Sequence, residues 1–204
     1  MSNLIQQAIS PGLVRILLNR PEAFNSLSEG LLDDLQESLR EISNNNDIRV
    51  VILAASGKAF CAGHDLKEMM QAPSEAYYQS LFKKCTEMML TVQGMPQPVI
   101  AQVQGVATAA GCQLVAMCDL AVASEDAKFA VSGINLGLFC STPGVALSRN
   151  LLRKHALELL LTGEFLSAAD AREKGLVNRV VPAEQLEEQT IALAKTILNK
   201  PIEA

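Results

Sequence analysis

Short runs of aliphatic residues alternate along this chain with longer segments in which apolar side chains return every three or four positions. Gly12 to Leu18 (GLVRILL) and Arg49 to Ala54 (RVVILA) are dense in branched aliphatics and read as strands. Between them Leu31, Leu35, Leu39 and Ile42 recur at helical spacing. That stripe predicts a helix opened by the capping pattern Ser26-x-x-Glu29 and closed in the turn Asn44-Asn45-Asn46. A second stripe, Tyr78, Leu81, Cys85, Met88 and Val92, predicts another helix, ended by Gly94 and the prolines at 96 and 98. Pro98 to Gln104 (PVIAQVQ) is the third strand.

A passage rich in glycine and alanine follows, Gly105 to Gly111 (GVATAAG), leading into an apolar helix at Cys112 to Met117. Strands are expected at Leu120–Ala123 and Lys128–Val131, and a short one at 176–181. From Gly144 onward the pattern is otherwise helical, over 144–161, 167–174 and 183–199. Strands alternating with helices at this spacing predict a layered α/β fold. With no repeat of fixed period and no linker, residues 1–204 read as one domain.

Composition narrows the class. Of 204 residues 49% are hydrophobic and 19% charged, as in globular rather than disordered chains. Seventeen basic and 22 acidic residues give a net charge of −5 without a basic run, which argues against nucleic-acid binding. Cys61, Cys85, Cys112, Cys118 and Cys140 form no C-x-x-C pair and lie in apolar sequence, the usage of reduced, buried thiols. The opening MSNLIQQAISPG has neither a secretory nor a transit-peptide pattern, and no apolar run approaches the ~20 residues of a membrane helix. A cytoplasmic protein is the resulting expectation.

Two passages could carry chemistry. In KAFCAGHDLKEM (Lys58 to Met69), small residues at 59, 62 and 63 allow close approach to the backbone. Asp65 stands as N-cap of a helix with Lys67 and Glu68 in its first turn. Helix starts present N–H groups without intrahelical partners, and such donors can hold a developing oxyanion. GVATAAGCQ (Gly105 to Gln113) repeats the arrangement, so two N–H groups could converge on one carbonyl oxygen. The same pattern also serves as an ordinary strand–turn–helix junction packed tightly on a sheet. His64, one of two histidines, could act as a base or simply fill space; His155 reads as solvated. Asp119 is expected to be scaffolding, Glu68 to face solvent, Cys140 to be a packed thiol, and Met88 and Met89 to be core.

Asn19-Arg20-Pro21 with Asn25-Ser26-Leu27, then KAFCAGHDLKEM, GVATAAGCQLVAMCDLAVAS and LTGEFLSAADAREKGLVNRVV, occur in an order and spacing that resembles the crotonase (enoyl-CoA hydratase/isomerase) superfamily. The resemblance runs through nearly the whole chain. It implies a spiral of ββα units, a thioester carbonyl held between two backbone N–H groups, and an acyl-coenzyme A whose adenine lies against the first turn. Carried over by position, the oxyanion donors are His64 and Ala110, and coenzyme A contacts fall near Ala23, Ala62, Asp65 and Leu66. Coenzyme A enters only as part of the thioester; no separate cofactor and no metal is implied.

The two glutamates that hydratases of the superfamily use fall on Gln113 and Gly133, and the segment LFCSTPG after Gly137 is longer than its hydratase counterpart. By resemblance the helical C-terminal part is expected to be truncated, and the resemblance implies a homo-oligomer, a trimer or a dimer of trimers. Three functions stay open: an enzyme acting on an acyl-CoA, a non-catalytic or regulatory acyl-CoA-binding protein, and an assembly module. The small-residue turns argue against the last.

Overall fold

The computed structural model describes residues 2–71 and 73–201. The chain opens with β1 (Leu4–Ser10) and β2 (Leu13–Leu18), and a short 3-10 turn at Pro21–Ala23 leads to α1 (Glu29–Ser43). Then come β3 (Val50–Ala55), β4 (Ala59–Cys61), α2 (Leu66–Met69) and α3 (Glu75–Gly94). The pattern repeats as β5 (Val99–Val103), β6 (Val106–Thr108) and α4 (Ala110–Met117), and again as β7 (Leu120–Ser124), β8 (Lys128–Ala130) and α5 (Ser141–Asn150). The rest is α6 (Arg153–Thr162), β9 (Leu166–Ser167), α7 (Ala168–Lys174), β10 (Arg179–Val181) and α8 (Leu186–Leu198).

In the ββα units that begin at β3, β5 and β7 the first strand joins a six-stranded sheet, ordered β1-β2-β3-β5-β7-β10, and the second a four-stranded sheet, β4-β6-β8-β9, whereas β1 and β2 both lie in the larger sheet. Pairing is parallel except at β1–β2 and β8–β9. This is the spiral of ββα units. It is a repeat in space that the sequence carries without a fixed period, because the connecting segments differ in length.

β3 shows why the large sheet reads as unbroken aliphatic sequence. Val51 and Leu53 face one buried cluster, shared with α1, α3 and α4, while Val50, Ile52 and Ala54 face a second, closed by Leu186 and Ala194 of α8. A strand covered on both sides has no polar face to alternate with. The predicted stripes of α1 and α3 are buried, with Leu31, Leu35, Leu39, Ile42, Leu81, Cys85, Met88 and Val92 at 5% exposure or less. Tyr78 alone of its stripe is not in the core; its hydroxyl donates to the Met69 carbonyl over α2.

Several expectations need correction. The N-cap of α1 is Ser28, whose side chain accepts from the Leu31 N–H, and not Ser26. β1 is absent from the sequence reading because an edge strand with one partner keeps polar residues, the exposed Gln6 and half-buried Gln7, in its run. The segment 144–161 is two helices. Asn150 ends the first by donating to the Ala146 carbonyl and, across to α4, the Ala116 carbonyl, and Leu151 and Leu152 are extended. Asp119 is scaffolding as expected, its carboxylate accepting from the Val99 N–H at the start of β5. Among the described residues no helix is long and apolar enough to cross a membrane.

Candidate active site

The two glycine- and alanine-rich turns touch. After β4, Gly63 adopts φ +89°, a conformation favouring glycine, and a Cβ built on it would lie 2.8 Å from Ala109 Cβ and 3.3 Å from the Ala110 nitrogen. After β6, Ala109 is held at φ +51°, a strain of ~1–3 kcal/mol in a non-glycine residue. Its N–H is fixed by the Ala130 carbonyl and its carbonyl receives Gln113 N–H, so its orientation is set from both sides. Ala110 is then the first residue of α4, with no side chain capping it, and its N–H has no acceptor among the described residues. Gly111 brings α4 against β4, and a Cβ there would lie 2.1 Å from the Cys61 carbonyl oxygen.

His64 supplies the matching donor. It forms a parallel bridge with Leu27 in which Leu27 N–H donates to the Gly63 carbonyl (2.8 Å) and Asp65 N–H to the Leu27 carbonyl (3.3 Å). In that pattern the N–H of His64 itself points away from the bridge, and it has no acceptor among the described residues. The structure therefore brings together the two helix starts singled out in the sequence.

The first turn is braced by Asn25 and Arg20, whose roles the sequence reading missed, and by Asp65, the N-cap it expected. Asn25 is fully buried, at φ +52°; its amide donates to the Ser56 and Ala59 carbonyls, both at 2.8 Å, and its oxygen accepts from Arg20 N–H. Asp65 caps α2 through the Lys67 and Glu68 N–H groups and accepts from Arg20 Nη2 (3.0 Å) and Ser26 Oγ (3.2 Å). Burial of that carboxyl would raise its pKa, but the donors around it, Arg20 first, win and hold it below the usual value. Glu68 does not simply face solvent: its carboxylate accepts from Glu29 N–H at the start of α1. The signal for these roles was polar residues packed into a short segment between two apolar elements.

Of the expected coenzyme A contacts, Ala23 and Asp65 line one hollow of about 390 Å³ together with Arg20, Glu22, Ser28, Lys67, Glu68 and Gln71. The Ala62 N–H is held by the Phe24 carbonyl, and Leu66 is exposed. Neither of these two lines the hollow.

The remaining candidates surround α4. Gln113 is 7% exposed, yet its amide makes no hydrogen bond among the described residues and is not sealed from solvent. A Cβ built on Gly133 would lie 2.6 Å from Cys140 Sγ and 2.8 Å from the Leu138 carbonyl oxygen. The longer segment after Gly137 thus folds back and fills the space a side chain at 133 would need. Cys140 is half-buried, the packed thiol expected. His155, expected to be solvated, is half-buried, with Nδ1 3.4 Å from Lys174 Nζ of α7.

The His64 ring meets Phe82 of α3 edge-on, centroids 5.3 Å apart. Nδ1 is buried without a partner. Burial lowers the ring's pKa from its ordinary value, against an opposing pull from the Leu27 carbonyl beside it, so the imidazole is neutral at pH 7.

Known proteins share this sequence and fold. The profile of the enoyl-CoA hydratase/isomerase family matches residues 8–204. The mouse enoyl-CoA hydratase domain-containing protein 3, mitochondrial, is 47% identical over 186 residues, covering 91% of this chain and 62% of the mouse protein. The chain thus spans less than two thirds of the length of that relative. Among crystal structures, an enoyl-CoA hydratase of Mycobacterium smegmatis is 60% identical with a TM-score of 0.96, over 98% of this chain and 78% of the other. Human enoyl coenzyme A hydratase domain-containing protein 3 is 45% identical with a TM-score of 0.91, over 96% and 77%.

Proposed function

Because the chain belongs to the enoyl-CoA hydratase/isomerase family, we propose that it binds an acyl-coenzyme A thioester and polarises the thioester carbonyl between the N–H groups of His64 and Ala110. The observation that carries this reading is the contact of the two turns, each ending in an N–H without an acceptor among the described residues. Donors held by a rigid scaffold need no rearrangement when charge develops on the oxygen, which is where such sites gain most of their rate. The coenzyme A moiety would run past Ala23, Ala62, Asp65 and Leu66.

Hydration of a conjugated double bond at ordinary rates is not part of this reading. The positions that resemblance assigns to the two catalytic glutamates hold Gln113 and Gly133, and each missing acid–base group removes ~10²–10⁴-fold of rate. Gln113 can orient a water but exchanges no proton at neutral pH. At 133, a glutamate could not be accommodated beside Cys140 without moving the loop. What is left is chemistry needing only an oxyanion hole, or ligand binding without turnover. A homo-oligomer, a trimer or a dimer of trimers, belongs to the same proposal, supported by exposed Leu136, Leu138, Phe139, Leu152, Leu161 and Phe165.

The test pairs calorimetric binding of crotonyl-CoA with its turnover, followed by loss of ultraviolet absorbance. The wild type is expected to bind and to hydrate at well under ~1 s⁻¹. Ala110→Pro deletes one donor at a helix position that tolerates proline, and thioester binding should weaken while the fold persists. Undiminished binding by a folded Ala110→Pro variant would overturn the assignment.

A further inference from the structure

Resting on the reading just given, we infer that the His64 side chain is the base of this site: Nε2 of the neutral imidazole removes a proton from the acyl Cα of a thioester whose oxygen is held by the backbone N–H of the same residue. The two nitrogens of the ring are in different surroundings. Nδ1 is buried and unpartnered, with the Leu27 carbonyl beside the ring as the available acceptor. Nε2 makes no hydrogen bond among the described residues and is not sealed off. A carbonyl next to a buried ring favours the tautomer with its proton on the buried side, so we assign the proton to Nδ1 and the lone pair to Nε2.

Position supports the role. Edge-on contact with Phe82 and the Leu27–His64 bridge hold the residue on two sides. In a thioester the Cα is bonded to the carbonyl carbon, so a group on the residue that holds the oxygen starts within one side chain's reach of the Cα hydrogens. Among the described residues the neighbouring carboxylates are already engaged. Asp65 is engaged by Arg20, Ser26 and two backbone N–H groups, and Glu68 by Glu29 N–H. Gln113 cannot take a proton. Burial keeps the imidazole uncharged and so able to accept one.

The step balances as a proton transfer. The Cα–H bond breaks, its electron pair enters the C–C–O system as the enolate, and the negative oxygen is held by the His64 and Ala110 N–H groups. Nε2 carries the proton as imidazolium and returns it to Cα, giving exchange. With a β,γ double bond, return at Cγ shifts the double bond instead.

The probe is butyryl-CoA in deuterium oxide, with deuterium uptake at Cα read by mass spectrometry at saturating thioester, and binding measured in parallel by calorimetry. The wild type is expected to exchange above the buffer rate. His64→Gln and His64→Ala, both of which keep the backbone N–H, should lower the saturated exchange rate by ~10²-fold or more. If both variants are folded and exchange at the wild-type rate when saturated, or if the wild type binds butyryl-CoA without exchanging, His64 is not a base, while the binding proposal stands. If the wild type binds no acyl-CoA, the proposed function fails and this inference with it.

Discussion

Replacing Gly111 by alanine should damage both the fold and the site, and the size of the effect follows from one contact. The added Cβ would lie 2.1 Å from the Cys61 oxygen, 2.7 Å from its carbonyl carbon and 2.8 Å from its Cβ. These are atoms of β4 itself, so no flexible side chain can swing aside. Restoring ordinary van der Waals separation, ~3.5 Å, takes a withdrawal of α4 from β4 of roughly 1.4 Å. Overpacking of this kind costs about 1–3 kcal/mol, against which alanine returns less than ~1 kcal/mol of helix propensity. A net loss of about 1–2 kcal/mol is expected in urea denaturation. Since Ala110 moves with α4 and His64 with β4, the two donors separate, and acyl-CoA affinity should fall about 5–10-fold for one weakened hydrogen bond. Gly94→Ala is the control: nothing lies within 4 Å of its Cβ position, and the change should stabilise by about 0.5–1 kcal/mol. A Gly111→Ala protein as stable as the wild type and equal in affinity would refute the packing argument.

Gln113→Glu combined with Gly133→Glu should not restore hydration, because the space at 133 holds Cys140 Sγ; fast turnover of crotonyl-CoA by the double variant would contradict this. Asn25→Ala leaves the Ser56 carbonyl and Arg20 N–H unpaired and should cost about 2–4 kcal/mol by denaturation; a loss under ~0.5 kcal/mol would show that water replaces the amide. For His64 the folded pKa is depressed, so the unfolded chain binds the extra proton first. Its stability contribution is therefore full above the unfolded value of ~6.5 and is lost as pH falls through the folded value. The stability difference between wild type and His64→Gln should be flat above about pH 7 and shrink on acidification, and a pH-independent difference would be the contrary result. Light scattering at micromolar concentration should show a homo-oligomer, and a stable monomer would remove that part of the proposal.

The sequence showed those parts of this molecule that depend on local pattern. Stripes such as Leu31–Leu35–Leu39–Ile42 were legible because one face of a helix repeats along the chain, and both helix starts because small residues cluster where backbones approach. What depended on distant partners was not legible. Ser26 resembles an N-cap, but its hydroxyl is taken by Asp65, and Ser28 has the right geometry instead. Glu68 looks like a surface residue until α1 is placed against α2. The break at Leu151 carries no glycine or proline, and its cause is an asparagine reaching to another helix. Gly133 reads as a missing side chain, and only the folded loop shows that Cys140 has taken its place.

The most direct test of the account is a crystal structure of the protein with a bound acyl-CoA thioester. The thioester oxygen is expected to lie ~2.7–3.1 Å from both the His64 and the Ala110 backbone nitrogens, with the acyl Cα on the side of the His64 ring. A thioester bound with its oxygen away from either nitrogen would contradict the central claim.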